Sequence, residues 1–307
     1  MSRAPIVTSA VLYALSLIAC SQPHGPGEYP AQESGDVSPN GETTPQDVDD
    51  PNDDVSEGDE PAIDTNQPGV HGVVWAPGNA PGMVPAGHEI PIFGALVYLT
   101  SSRPEPIPSG AYCEYCVPTP AHSTLTDHQG EFLITGHTPG TYWLIMEKGQ
   151  FRREVEVEIR VDSLTQLSAN LTTLPSSHDP ENGFTIPRVA MAVGAFDQLE
   201  TILGKMHLGA VNSMGGFEPG NGAEVDIWLN GGCCYDDVAL GTLTELVNDL
   251  TKMLEYHIIF IPCSVDEQSG ALRDPDVLAN LRTFVSAGGK LYVTDWSGEW
   301  HDNVFPA

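Results

Sequence analysis

From Phe184 onward, short apolar runs alternate with amphipathic stretches: "RVAMAV", "FDQLETILGKM", "EVDIWL", "DVALGTLTELVNDLTKML", "HIIFIP", "DPDVLANLRTFVSAG" and "KLYVTDW". This rhythm restricts the fold more than any other feature of the chain. A strand that returns to its own sheet through a helix does so by a right-handed crossover, so the four strands must lie parallel. Asp274 before Pro275 reads as a helix N-cap with proline in the first turn, and Gly288 and Gly289 end that helix. A sheet of this kind usually has five or more strands, so the module at 183–307 is expected to be incomplete, either a fragment or unusually small.

Between residues 68 and 175 the period changes to two. "GVHGVVW", "GALVYLT", "EFLIT", "TYWLIME" and "REVEVEIRV" are short β-rich runs punctuated by Gly and Pro. In the last of them Val155, Val157, Ile159 and Val161 fall on one face and charges on the other, as in a half-buried antiparallel strand. An antiparallel β-sandwich is predicted here, making the chain multidomain: the sandwich followed by an α/β parallel-sheet domain. The stretch "STLTDHQGEFLITGHTPGTYWLIMEKGQFRREVEVEI" resembles the carboxypeptidase regulatory-like domain, a transthyretin-like sandwich marked by a T-D-x-x-G-x-F turn followed by P-G-x-Y. The resemblance implies a positive φ at Gly130, Phe132 and Tyr142 pointing into the core, and an accessory or adhesive role without catalysis.

The segment 183–307 resembles the class I glutamine amidotransferase-like superfamily in the order of its elements and in "AGGKLYVTDW", and the resemblance implies a flavodoxin-like α/β fold. In an open parallel sheet, functional groups collect beyond the carboxyl ends of the strands. That rule gathers Cys233, Cys234, Asp236 and Asp237 after the second strand, Cys263 and Asp266 after the third, and Asp295 and Trp296 after the fourth. The resemblance places the family's nucleophile among Thr294, Asp295 and Trp296, where no cysteine stands, and puts Pro262 and Cys263 at its oxyanion turn. Cys263 is expected to be inert. Asp266 and Glu267 disfavour a thiolate, and His257 lies at the far end of the same strand. His301 is the remaining candidate base.

A nucleotide site is disfavoured because Gly194 stands alone after the first strand and Asp197 would repel phosphate. A metal site of Asp236, Asp237, Asp266 and Asp295 is geometrically conceivable, but acidic strand-end loops are more often solvated, so neither metal nor cofactor is expected. "CEYC" gives Cys113 and Cys116 the C-x-x-C spacing of zinc and redox motifs, with His122 and His128 as conceivable further ligands. In an exported protein a local disulfide across that loop is the favoured reading.

Export is read from the N-terminus. Arg3 precedes "IVTSAVLYALSLIA", an apolar stretch too short for a permanent span, which makes residues 1–19 a signal peptide. It ends in "LIAC", which resembles the lipobox of bacterial lipoproteins; the resemblance implies lipidation of Cys20, and Ser21 after it favours the outer membrane. Residues 21–67 carry seven prolines, thirteen Asp or Glu and no Lys or Arg, so the span 20–67 is expected to be a lipidated cysteine followed by an extended acidic tether. The formal charge of −30 opposes binding to nucleic acid. The expectation is a lipid-anchored cell-envelope protein with a binding or structural role and no catalysis, its ligand an unknown protein or polysaccharide. The alternative is an exported hydrolase or thiol-dependent enzyme using the strand-end residues.

Overall fold

Period-two alternation builds the first half of the molecule. The computed structural model describes residues 66–113, 118–219, 224–232, 234–264 and 270–306. Residues 1–65, which hold the expected signal peptide, Cys20 and all but the last two residues of the expected tether, lie outside the described residues, as do Cys116, Cys233 and Asp266. Strands β1 (Gly69–Val73), β2 (Leu96–Thr100), β3 (Thr124–Leu125), β4 (Glu131–Thr135), β5 (Gly140–Lys148), β6 (Phe151–Ile159), β7 (Leu164–Gln166) and, after helix α1 (Ala169–Thr172), β8 (Phe184–Thr185) form two sheets. The larger runs β3-β2-β5-β6-β8 and is antiparallel throughout; the smaller runs β4-β1-β7. They close on one apolar core that includes Val97, Phe132, Ile134, Leu144, Met146 and Val157, with Tyr142 and Val155 packed at its margin. Gly130 adopts φ 75°, as its turn requires.

Three details differ from the sequence pattern. The pair β1–β7 is parallel, because the chain leaves β6 for the other sheet and arrives beside β1 running the same way. Val161 is 67% exposed instead of facing the core: the strand has ended, and Asp162, at φ 49°, turns the chain away. Glu154, expected on the solvent face, is 7% exposed, because Arg103 folds over it with Nε 2.6 Å from its carboxylate.

The second half runs β9 (Val189–Val193), α2 (Leu199–Lys205), β10 (Ala210–Val211), β11 (Phe217–Glu218), β12 (Val225–Leu229), α3 (Leu243–Asn248), α4 (Leu250–Met253), β13 (Ile258–Ile261), α5 (Pro275–Ser286), β14 (Lys290–Val293) and α6 (Gly298–Val304). The sheet order is β12-β9-β13-β14, with every pair parallel. Every residue of β9 is buried, since Ala190 and Ala192 pack on one face and Val189, Met191 and Val193 on the other. In β13, apolar at every position, Ile259 and Ile261 are sealed while Ile258 and Phe260 are only half-buried. The short α2 covers that second face, and it packs on β9 rather than on β13. The eighteen-residue helix expected over "DVALGTLTELVNDLTKML" is two short helices instead. A capping box between Thr242 and Glu245 starts α3, and the Asp249 side chain, accepting from the Lys252 N–H at 3.0 Å, restarts the chain as α4.

The two halves belong to one compact unit, Ala62–Ala307. Phe184 and Thr185, beyond the expected boundary at 183, pair with β6, and only residues 186–188 separate them from β9. The loop after β2 reinforces the junction: the Ala111 N–H donates to Leu254 O at 2.9 Å. His257, 6% exposed, accepts from the Arg188 N–H at Nδ1 (2.9 Å), so its Nε2–H faces Pro108 O at 3.1 Å. Burial lowers the His257 pKa, aided by Lys290 and His178 and opposed by the Pro108 hydrogen bond and Glu224. The unfolded chain therefore takes up a proton near the ordinary histidine value of roughly 6.5 while the folded chain does not, and stability falls as pH drops through that range. Urea unfolding at pH 7.5 and 5.5 should show a larger loss for the wild type than for His257→Gln, whose amide can make both hydrogen bonds without titrating. Equal losses would remove His257 from the pH response.

Candidate functional site

The order β12-β9-β13-β14 creates a switch point. The chain leaves β9 for β12 on one side and later returns to lay β13 on the other, which opens a crevice beyond the carboxyl ends of β9 and β13. Close backbone approach shapes its floor. A side chain at Gly194 would collide with the Cys263 carbonyl, and one at Gly232 would stand 2.6 Å from the Gly194 carbonyl. Glycine is required at both places by contact rather than by φ.

The residues around the crevice are tied together by Asp197. Its carboxylate accepts from the Thr294 hydroxyl and from the Cys263 backbone N–H at 3.3 Å; the same N–H lies 3.1 Å from Thr294 Oγ1. Three loops, following β9, β13 and β14, thus meet at one carboxylate. Ser297 Oγ donates to Pro262 O at 2.9 Å, and Ser264 Oγ donates to Asn230 O. Asp197 thus binds neighbouring loops.

Cys263 is 2% exposed and is the free thiol among the described cysteines. Its Sγ lies 3.5 Å from Asp295 Oδ2. Burial pushes the thiol pKa up; a hydrogen bond from the Trp296 N–H pulls the other way, and Asp295 and Asp197 add to the rise. A thiol that is buried and flanked by two carboxylates is a weak nucleophile. His257 is held at the opposite end of β13, and the exposed His301 ring packs on Phe305 at 5.6 Å. Asp295 follows β14 at φ 45°, a left-handed conformation uncommon for a residue other than glycine, and opens a tight turn into α6.

The other sequence candidates do not converge here. Asp236 and Asp237 are exposed in the turn after β12. Cys234 is disulfide-bonded, as is Cys113 in the loop after β2. Among the described residues no group of three or more His, Cys, Asp or Glu is placed to hold a metal ion. No helix among them is long and apolar enough to cross a membrane.

Trp296 stands among the strand-end residues of the sequence, but its aromatic partner Phe196 was missed there. Phe196 and Trp296, 60% and 72% exposed, stand edge to face above the switch point with ring centroids 6.5 Å apart. The available signal was position: each follows a parallel strand within three residues, so both had to rise at the same edge. A buried acid also escaped the sequence reading. Glu200, 4% exposed in the first turn of α2, accepts from the Tyr235 hydroxyl at 3.3 Å, and burial raises its pKa.

No family model matches the chain, and no curated protein matches it. Among solved structures, a chain of a type II cohesin–X-dockerin complex from Acetivibrio cellulolyticus (Coh3ScaB–XDoc_M1ScaA) aligns at 16% identity with a TM-score of 0.24, covering 51% of this chain and 87% of that chain. A similarity at that level carries no argument about fold or function.

Proposed function

We propose that this chain is a lipid-anchored protein of the bacterial cell envelope, held at the outer membrane through Cys20. A transthyretin-like sandwich and a flavodoxin-like sheet present its binding face to a protein or polysaccharide. The observation that carries the reading is the contrast at the switch point: the rings of Phe196 and Trp296 are 60% and 72% exposed, while the Cys263 thiol is 2% exposed. Apolar rings held out in water beside Asp295 suit a partner that offers a C–H or aromatic face together with hydrogen-bond donors. The sheet order, second-first-third-fourth, supports the flavodoxin-like assignment. "LIAC" after an apolar run supports the anchor.

The anchor is tested by Cys20→Ser, which should abolish incorporation of a fatty-acid probe and leave the precursor uncleaved; equal labelling of both forms would refute it. The binding face is tested by placing a photoreactive side chain at Phe196 or, as a control, at Met214, which is 91% exposed elsewhere. Adducts from position 196 and not from 214 are expected in intact cells; adducts from neither would remove the face. The enzyme alternative is tested by iodoacetamide from pH 5 to 9. Cys263 should react more slowly than a model thiol throughout, and rapid selective alkylation below pH 7 would make a thiol enzyme the better reading.

A further inference from the structure

The sheet β4-β1-β7 has a second face. Val70, Phe132 and Ile134 point into the sandwich core, so the alternate positions His71 and Leu133 stand outside, with Gln166 beside them. His71 pairs with Leu133 of β4 on one side and with Gln166 of β7 on the other, a single row across the sheet. Over this row lies a cleft of about 800 Å³, lined also by Trp75 beyond the end of β1 and by Asp127 and Glu131 at the turn into β4. Ligand pockets run from roughly 300 to 1,000 Å³.

The polar groups of this lining are not spent on the fold. Among the described residues the Glu131 carboxylate, the His71 ring and the Gln166 amide have no hydrogen-bond partner. Asp127 Oδ1 accepts from the N–H groups of Gln129 and Glu131 at 2.9 and 2.8 Å, which fixes the turn and leaves Oδ2 for a ligand. Two carboxylates that only accept thus face, across the cleft, an amide that both donates and accepts. Trp75 is half-buried and Leu133 is 37% exposed, so apolar surface lies between these polar groups. No lysine or arginine is among the lining residues.

We infer that this cleft binds a short neutral oligosaccharide. A sugar hydroxyl both donates and accepts, so one ring serves the carboxylates of Asp127 and Glu131 on one side and the amide of Gln166 on the other. Its C–H face packs on Trp75 and Leu133, where polarised C–H bonds meet the negative face of the indole. An acidic or sulfated sugar would set its charge against the two carboxylates with no base in the lining to offset it. An organic cation would satisfy the acids and leave the N–H groups of Gln166 without acceptors. The inference does not depend on the binding face at the switch point, which belongs to the other module.

The test incubates the full mature chain with an array of immobilised oligosaccharides: neutral chains of glucose, galactose, mannose and N-acetylglucosamine, with sialylated, sulfated and deacetylated amino-sugar chains beside them. At least one neutral class should be retained. Its affinity should stay level between about 0.05 and 0.5 M salt, a range over which screening erodes a contact made by charge. Glu131→Gln and Gln166→Ala, both at exposed positions, should each weaken retention about tenfold. Glu156→Gln, an exposed acid on the larger sheet, should leave it unaltered, as should Phe196→Ser. Loss of retention in Phe196→Ser with none in Glu131→Gln would move the sugar to the switch point and overturn the site. Retention of charged chains alone, retention of no chain, or equal affinity in the wild type and both cleft variants would overturn it as well.

Discussion

Gly288→Ala should destabilise the protein by about 2–5 kcal/mol, the sum of a left-handed backbone held by a residue with a Cβ, roughly 1–2 kcal/mol, and forced overpacking, roughly 1–3 kcal/mol. Gly288 ends α5 at φ 97°, with its N–H donating to Val285 O at 2.9 Å. The added methyl would fall on the backbone of Tyr112 and Cys113, in the loop that joins the sandwich to the sheet. Backbone cannot yield as the end of a flexible side chain does. Gly110, at φ 79°, stands in the same position from the other side, and its methyl would strike the Leu254 carbonyl. Gly82 is the control: it has φ 84° with nothing within 4 Å of an added Cβ, so Gly82→Ala carries only the backbone term. Urea unfolding of the three variants separates the terms. If Gly288→Ala loses no more than Gly82→Ala, the close approach of loop and helix end is not real.

Glu154→Leu should cost about 2–3 kcal/mol, less than the roughly 3–5 kcal/mol of breaking a fully buried pair, because Arg103 stays partly in water and Arg152 keeps a second partner. The Glu154 side chain is 7% exposed, against 36% for Arg103 and 12% for Arg152. Arg103 also donates from Nη1 to Glu181 O at 3.1 Å and from Nη2 to Pro180 O, and its guanidinium stacks 5.4 Å from the Trp143 ring. Removing the acid therefore frees an arginine that holds the segment leading into β8. Arg103→Leu combined with Glu154→Leu should recover part of the loss, since no buried charge is then left without its partner. A single-variant loss under about 0.5 kcal/mol would place the pair among ordinary surface contacts.

Local periodicity made the strands legible. "RVAMAV", "EVDIWL" and "HIIFIP" became β9, β12 and β13 with their ends moved by one residue, "KLYVTDW" became β14 shortened by three residues at its end, and Asp274 caps α5 as its position before proline required. Competing caps defeated the period in one place, where Thr242 and Asp249 each restart the chain within a run that reads as one helix. What could not be read was anything decided by a distant partner. Glu154 looks solvated until Arg103, fifty-one residues earlier, closes over it. His257 looks like a strand end until Pro108, a hundred and forty-nine residues away in sequence, takes its second nitrogen. The same holds at the candidate site: Asp197, Cys263 and Thr294 were each visible as strand-end residues, but the carboxylate that gathers them is a property of the sheet order.

β1 is the central strand of its small sheet, antiparallel to β4 on one side and parallel to β7 on the other. A chain pulled from the N-terminal side of Gly69 therefore draws β1 lengthwise between two neighbours. Ladder hydrogen bonds lie across the strand direction, so such a tension acts on both ladders in shear and strains all their bonds together. Peeling an edge strand instead breaks its bonds one after another under a smaller force. For a body held to a surface by its N-terminal side, the point of entry is then the mechanically resistant part of the fold. Under force-spectroscopic extension from the N-terminus, β1 is expected to yield after the three-residue edge strand β7 would yield if pulled alone.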